Sequence, residues 1–176
     1  GQRVLEAVSF SLAAGQVVGI VGLSGSGKST IAKLIQRLYV PESGRVLVDG
    51  MDLAMADPAW LRRQIGGVLQ ENVLFNGTIR DNIAYGRPGA TEEEIHEAAR
   101  ATYVDRFVRA LPDGYDTMID DEGSNLSTGE RQLITIARAF LSQPSLLILD
   151  EATSSVDTRT EVLVQKAMTA LRSDRT

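Results

Sequence analysis

The sequence has 176 residues, 43% hydrophobic and 23% charged, with a net charge of −5 and no cysteine. A chain of that size is about one domain and buries roughly two thirds of its unfolded surface. Its longest apolar stretches, such as Ser145 to Leu149, fall far short of the ~20 residues that span a bilayer. The acidic balance offers no broad basic surface to nucleic acid, and disulfides, zinc–thiolate sites and thiol nucleophiles are excluded, as suits a reducing compartment. The first residue is Gly1 rather than Met and no signal-peptide pattern follows, which reads as an excised segment of something longer.

In chain order, Val8, Phe10 and Leu12 alternate with polar or small residues as in a half-buried strand, and after the turn at Ala14-Gly15 the run VVGIVG (17–22) predicts a strand buried on both faces. Ile31, Leu34, Ile35 and Leu38 fall at i, i+3, i+4, i+7 and predict a helix ending before Pro41. RVLVDG (45–50) and QIGGVLQ (64–70) read as further strands. From Asn76 to Ala110 the pattern turns helical. Thr91 and Glu94 form a capping box ahead of Ile95, Ala98, Ala99 and Thr102, and a second stripe of Val104, Phe107, Val108 and Leu111 stops at Pro112 and Gly114. SLLILD after Pro144 predicts another buried strand, and Glu161 to Leu171 a helix. The order implies a parallel sheet flanked by helices, interrupted by a mostly helical insertion from about Asn76 to Thr135.

The strongest chemical signal is GLSGSGKST: Gly22, Leu23, Ser24, Gly25, Ser26, Gly27, Lys28, Ser29 and Thr30 fit G-x-x-x-x-G-K-[ST] between a strand and an amphipathic helix. Such a loop wraps backbone N–H groups around a phosphate, and the helix directs its positive end at the same anion. Lys28 is expected to reach the β- and γ-phosphates of a nucleotide and the Ser29 hydroxyl to ligate Mg²⁺. In LLILDE (146–151) a buried strand delivers two carboxylates at its C-terminal end, the edge where parallel sheets bind ligands. Asp150 is expected to hold Mg²⁺ and Glu151 to orient or deprotonate the attacking water. Read blandly, such carboxylates only cap the next turn.

These segments, together with Gln70, Asn125 to Gln132 and Ser154 to Asp157, stand in the order found in ATP-binding cassette (ABC) proteins. Over essentially its whole length the chain resembles the nucleotide-binding domain of an ABC exporter of the multidrug or lipid type, truncated at both ends. The resemblance implies an α/β P-loop NTPase with a mostly parallel sheet flanked by helices, an N-terminal antiparallel β portion and an inserted helical subdomain. Residues 1–75 and 136–176 would form the core, and 76–135 the helical subdomain with the signature motif. It further implies an ATPase using ATP and Mg²⁺, with a catalytic role for Gln70 beside Glu151, metal contacts from Ser29, Gln70 and Asp150, and Asp157 in the D-loop. The partners implied are a second nucleotide-binding domain, identical or not, packed head to tail, and a transmembrane domain met through the Gln70–Phe75 region, the helical subdomain and the Asp120 to Ser124 stretch. No nucleic acid is expected. The implied place is the cytoplasmic face of the cell membrane.

The signature stretch NLSTGERQ carries two compatible readings. Ser127 and Glu130 form a capping box, and the same helix start, through Ser127, Thr128, Gly129 and Glu130, faces the γ-phosphate held by the partner. Against the familiar L-S-G-G-Q, Thr128 replaces glycine and Glu130 glutamine, which places a negative charge near an anion. The family's switch histidine is expected beyond Thr176 and its adenine-stacking aromatic before Gly1, so the isolated fragment is expected to be poorly active. His96, the sole histidine, reads as a partly exposed helix-surface residue, while Phe75 and Tyr85 are expected to pack or to touch a membrane-domain helix. Two rivals remain: a non-hydrolytic nucleotide-binding module, against which Glu151 stands, and an ABC-type ATPase of DNA repair or chromosome organisation, whose heptad-rich coiled coil is missing.

Overall fold

A computed structural model of the chain describes residues 4–23, 25–68, 74–120, 125–149 and 158–172. The chain falls into two compact units, Gly1–Ile65 with Thr176, and Gly66–Arg175.

In the first unit, helix α1 spans Lys28–Ile35. It ends earlier than the apolar spacing predicts, because Arg37 turns left-handed (φ 56°) and the N–H groups of Arg37 and Leu38 fold back onto the carbonyls of Leu34 and Lys33 at 3.1 and 2.8 Å. This is a Schellman stop with arginine at the position glycine usually takes. The Arg37 side chain donates to the carbonyls of Ala54 (3.0 Å) and Ala56, which offsets the strain of that backbone. Strands β1 (Leu47–Val48) and β2 (Met51–Asp52) pair antiparallel with Val48 opposite Met51. Both loop residues, Asp49 and Gly50, have positive φ (49° and 78°), the geometry that matches strand twist in a two-residue hairpin. A 3₁₀ turn at Leu53–Met55 follows. Helix α2 (Pro58–Gln64) then starts on Asp57, whose carboxylate accepts from the Ala59 N–H, with proline in the first turn. The strands expected around Val8–Leu12 and at 17–22 are not formed: the described residues there belong to no strand, and Val17, Val18, Ile20 and Val21 are exposed. An apolar run becomes a buried strand only when ladders close on both its edges, and no strand pairs with it among the described residues.

The second unit is built around one helix. Strand β3 (Ile65–Val68) pairs with β6 (Leu146–Leu149), and β4 (Gly77–Thr78) pairs antiparallel with β5 (Met118–Ile119). Helices α3 (Ile79–Ala84), α4 (Glu92–Ala101) and α5 (Val104–Val108) surround the long α6 (Thr128–Ser142), with α7 (Thr158–Arg172) beside it. Ile79, Ile83, Val104, Ile134, Ile136, Ala137 and Leu171 reach 0% exposure in one cluster. Each large aliphatic side chain so buried contributes about 1.5–3 kcal/mol. Helices α3, α4 and α6 all begin with a closed capping box, Thr78/Asp81, Thr91/Glu94 and Ser127/Glu130. After α3 the chain presses against α6: a Cβ on Gly86 would lie 2.1 Å from the carbonyl oxygen of Arg138.

Candidate phosphate loop and signature helix

Residues 25–27 form a turn that feeds directly into α1. The Ser26 N–H donates to the Leu23 carbonyl at 3.0 Å. Gly25 and Gly27 take φ of 81° and 97°, in the left-handed region that an L side chain resists. A Cβ on Gly22 would lie 2.6 Å from Ser26 Oγ, so a side chain there would have to displace the serine hydroxyl. Helix α1 begins at Lys28 with no side chain capping it, leaving its first N–H groups and its positive end to an anion. Lys28 Nζ donates to the Gly22 carbonyl across the loop, while Ser29 stands exposed and Thr30 half-buried beside it. A cradle of backbone donors closed by an ammonium group fits a polyphosphate.

The start of α6 is the second element. Ser127 Oγ accepts from the Glu130 N–H at 3.1 Å, and Glu130 Oε1 accepts from the Ser127 N–H at 2.9 Å, so the capping box read in the sequence is formed. Behind it Leu126 is buried (7% exposed), and Asn125 Nδ2 donates to the Met118 carbonyl at 2.9 Å, anchoring the approach to β5. Gly129 is buried, Thr128 and Glu130 are half-buried and Ser127 is exposed. The Glu130 carboxylate thus sits on the helix N-terminus, where the dipole favours it. The loop and the signature fall in different units. Ser24, Gln70, Asp150, Glu151, Asp157 and residues 121–124 lie outside the described residues.

One cluster has no counterpart in the sequence reading. Asn82, 1% exposed, accepts at Oδ1 from the Phe75 N–H (2.8 Å) and from Arg138 Nη2 (3.1 Å), and its Nδ2 donates to the carbonyls of Phe75 and Thr78, each at 3.0 Å. Arg138 Nε donates to the Asn82 carbonyl at 2.9 Å. The guanidinium lies over the rings of Phe75 and Tyr85, 4.9 and 5.8 Å from their centroids, and burial lowers its pKa from the ordinary value. A signal was present, since Asn82 shares the buried face of α3 with Ile79 and Ile83. Elsewhere, His96 is a partly exposed residue of α4 as expected and stacks on Tyr115 with centroids 4.5 Å apart. Burial and the hydrogen bond to Asp105 push the Tyr115 phenol above its ordinary pKa.

The family model described as ABC transporter matches residues 5–154, and the chain belongs to that family. It is 57% identical over its full length to a fatty acid ABC transporter ATP-binding/permease protein of Mycobacterium bovis, of which it spans 28%. It is 49% identical, again over its full length, to the alpha-hemolysin translocation ATP-binding protein HlyB of Escherichia coli, of which it spans 25%. A solved bacterial Atm1-family ABC exporter with ATP bound superposes on 98% of the chain with a TM-score of 0.90 at 48% identity, the match covering 30% of that exporter. The fold is therefore the α/β P-loop NTPase fold implied by the sequence.

Proposed function

We propose that the chain is the ATP-hydrolysing motor domain of an ABC exporter, formed of a core (1–75 and 136–176) and a helical subdomain (76–135). The observation that carries this reading is the phosphate loop, with glycines in left-handed geometry running into an uncapped helix start closed by Lys28. Backbone N–H groups of the loop bind and orient the β- and γ-phosphates, and Lys28 neutralises them. Ser29, Gln70 and Asp150 would hold Mg²⁺, which supplies charge neutralisation between the phosphates. Glu151 positions the attacking water and takes its proton, with Gln70 assisting. The start of α6, from Ser127 to Glu130, closes on the nucleotide of a second nucleotide-binding domain packed head to tail, with Asp157 at the same interface. The Gln70–Phe75 region and the helical subdomain meet the membrane-spanning partner at the cytoplasmic face of the membrane. No helix among the described residues is long and apolar enough to cross a membrane.

Two substitutions test the reading. Lys28→Ala is expected to weaken Mg-ATP binding by about 10- to 100-fold, since a charge-assisted contact is worth about 1.5–3 kcal/mol; equal affinities by calorimetry refute the phosphate-loop assignment. Glu151→Gln in the complete transporter chain is expected to retain ATP and accumulate the ATP-bound dimer on gel filtration. Hydrolysis at the parent rate would remove Glu151 as the base.

A further inference from the structure

The Asn82–Arg138 cluster joins elements that the sequence keeps 56 residues apart. On one side is the stretch from Phe75 to Thr78, held by the three bonds between Asn82 and the backbone of Phe75 and Thr78. On the other is α6, whose capped start at Ser127 lies eleven residues, about 16 Å of helix, from Arg138. Gly86 lets the end of α3 touch the α6 backbone at Arg138 itself. Phe75 and Tyr85, whose rings are 4.4 Å apart, remain 41% and 63% exposed on the outside of this junction.

A site needing only bulk between α3 and α6 would take methionine or leucine without the cost of desolvating a cation. Arginine here does two things that neither can. Its fork fixes Asn82 through the main-chain carbonyl and the side-chain oxygen at once, and its flat face holds two aromatic rings by cation–π attraction. The contacts therefore define direction as well as distance. A packed helix with this many fully buried side chains moves as a body rather than bending.

We propose that Arg138 is a positioning residue that fixes the Phe75–Tyr85 surface to the signature helix, so that a displacement of the capped start of α6 on nucleotide binding is delivered to that aromatic surface. The lock itself stands on the bonds described; its use in transmission rests on the ATP reading above.

Amide exchange followed by mass spectrometry separates the two. Without nucleotide, Arg138→Met is expected to speed exchange of residues 75–86 about tenfold, the equivalent of one lost charge-assisted hydrogen-bonding group, while residues 129–141 keep the parent rate. With Mg-ATP in the Glu151→Gln background, the parent is expected to change exchange at both 127–131 and 75–86. In Arg138→Met the response at 127–131 persists and that at 75–86 disappears, a split that general loosening of the fold does not produce. Arg138→Lys keeps the cation over the rings but loses the fork, so it is expected to show the same split in smaller degree, and it decides the matter if the methionine variant does not fold. Parent-like exchange without nucleotide in the variants overturns the lock, and a parent-like ATP response at 75–86 overturns the transmission. No ATP response anywhere in the parent refutes the ATP reading instead, and the nucleotide-free arm still decides the lock.

Discussion

In Gly1–Ile65 the aliphatic residues Ile20 and Val21 stand 44% and 92% exposed, whereas in Gly66–Arg175 Ile79, Ile83, Ile134 and Ile136 are wholly buried. Hydrophobicity does not distinguish these two sets; the bonding of the backbone around them does. A helix closes its N–H and C=O groups within its own turns and needs only a face to cover. A strand leaves half its groups open on each edge until neighbours arrive, so its side chains stay uncovered while the ladder is incomplete. The helical unit therefore completes itself around α6, and the described part of the phosphate-loop unit closes chiefly around Leu53, Ala56 and Leu61.

The sharpest way to break this contrast is a matched pair of truncations. Ile134→Ala, in the centre of α6, is expected to destabilise the chain by about 2–5 kcal/mol, and Val21→Ala by no more than about 0.5 kcal/mol; urea melts of the two variants measure it, and equal losses would erase the distinction between the units. Gly86→Ala comes next. The added methyl meets the backbone of Arg138 and cannot be relieved by a side-chain rotation, so a loss of about 3 kcal/mol is expected in the same melts. Smaller effects sharpen the picture at the helix starts. Glu130→Ala is expected to cost about 0.5–1 kcal/mol of stability, while Glu130→Gln preserves the box and costs little. If the Glu130 charge also faces the partner's γ-phosphate, Glu130→Gln tightens ATP-driven dimerisation of the complete transporter at low salt. Unchanged dimer affinity leaves Glu130 a cap alone.

The smallest effect is a pH dependence. The Thr78 N–H and hydroxyl hold the Asp81 carboxyl below its ordinary pKa, so the charged form is favoured in the folded state. The resulting stability is fully present above the ordinary carboxylate value of about 3.9 and is lost as pH falls through the lower native value. Asp81→Asn is expected to flatten the acid limb of a stability-against-pH curve slightly. An unchanged limb means the box contributes no linkage, and Asp81 is exposed enough for solvent to keep the effect small.

What could be read in the sequence follows the same division. The boxes at Thr91 and Ser127 were legible because donor and acceptor lie three residues apart, and the stripe from Ile95 to Thr102 because helical spacing is local. The end of α1 was missed at Leu38, since a left-handed arginine is not a stop that residue type announces. The run at 17–22 was read as a strand from its composition alone, but pairing depends on what lies beside it. Nothing local in the sequence marks Arg138, because its partners come from 56 residues earlier in the chain. The phosphate-loop residues were read by type and order, and of the loop's three glycines Gly25 and Gly27 have positive φ.

The three capping boxes also bear on how the chain is made. Each closes within four residues, so as the polypeptide leaves the ribosome the starts of α3 and α4 are defined before any distant contact exists. Short helices of six and ten residues hold little structure alone in water, and the face they bury belongs to α6, some thirty to fifty residues further along. Nascent chains that stop short of Ser142 therefore carry marked helix starts and an uncovered apolar face, the condition in which chaperones bind and aggregation begins. Synthesis of the signature helix is then the moment at which this unit of the chain becomes safe.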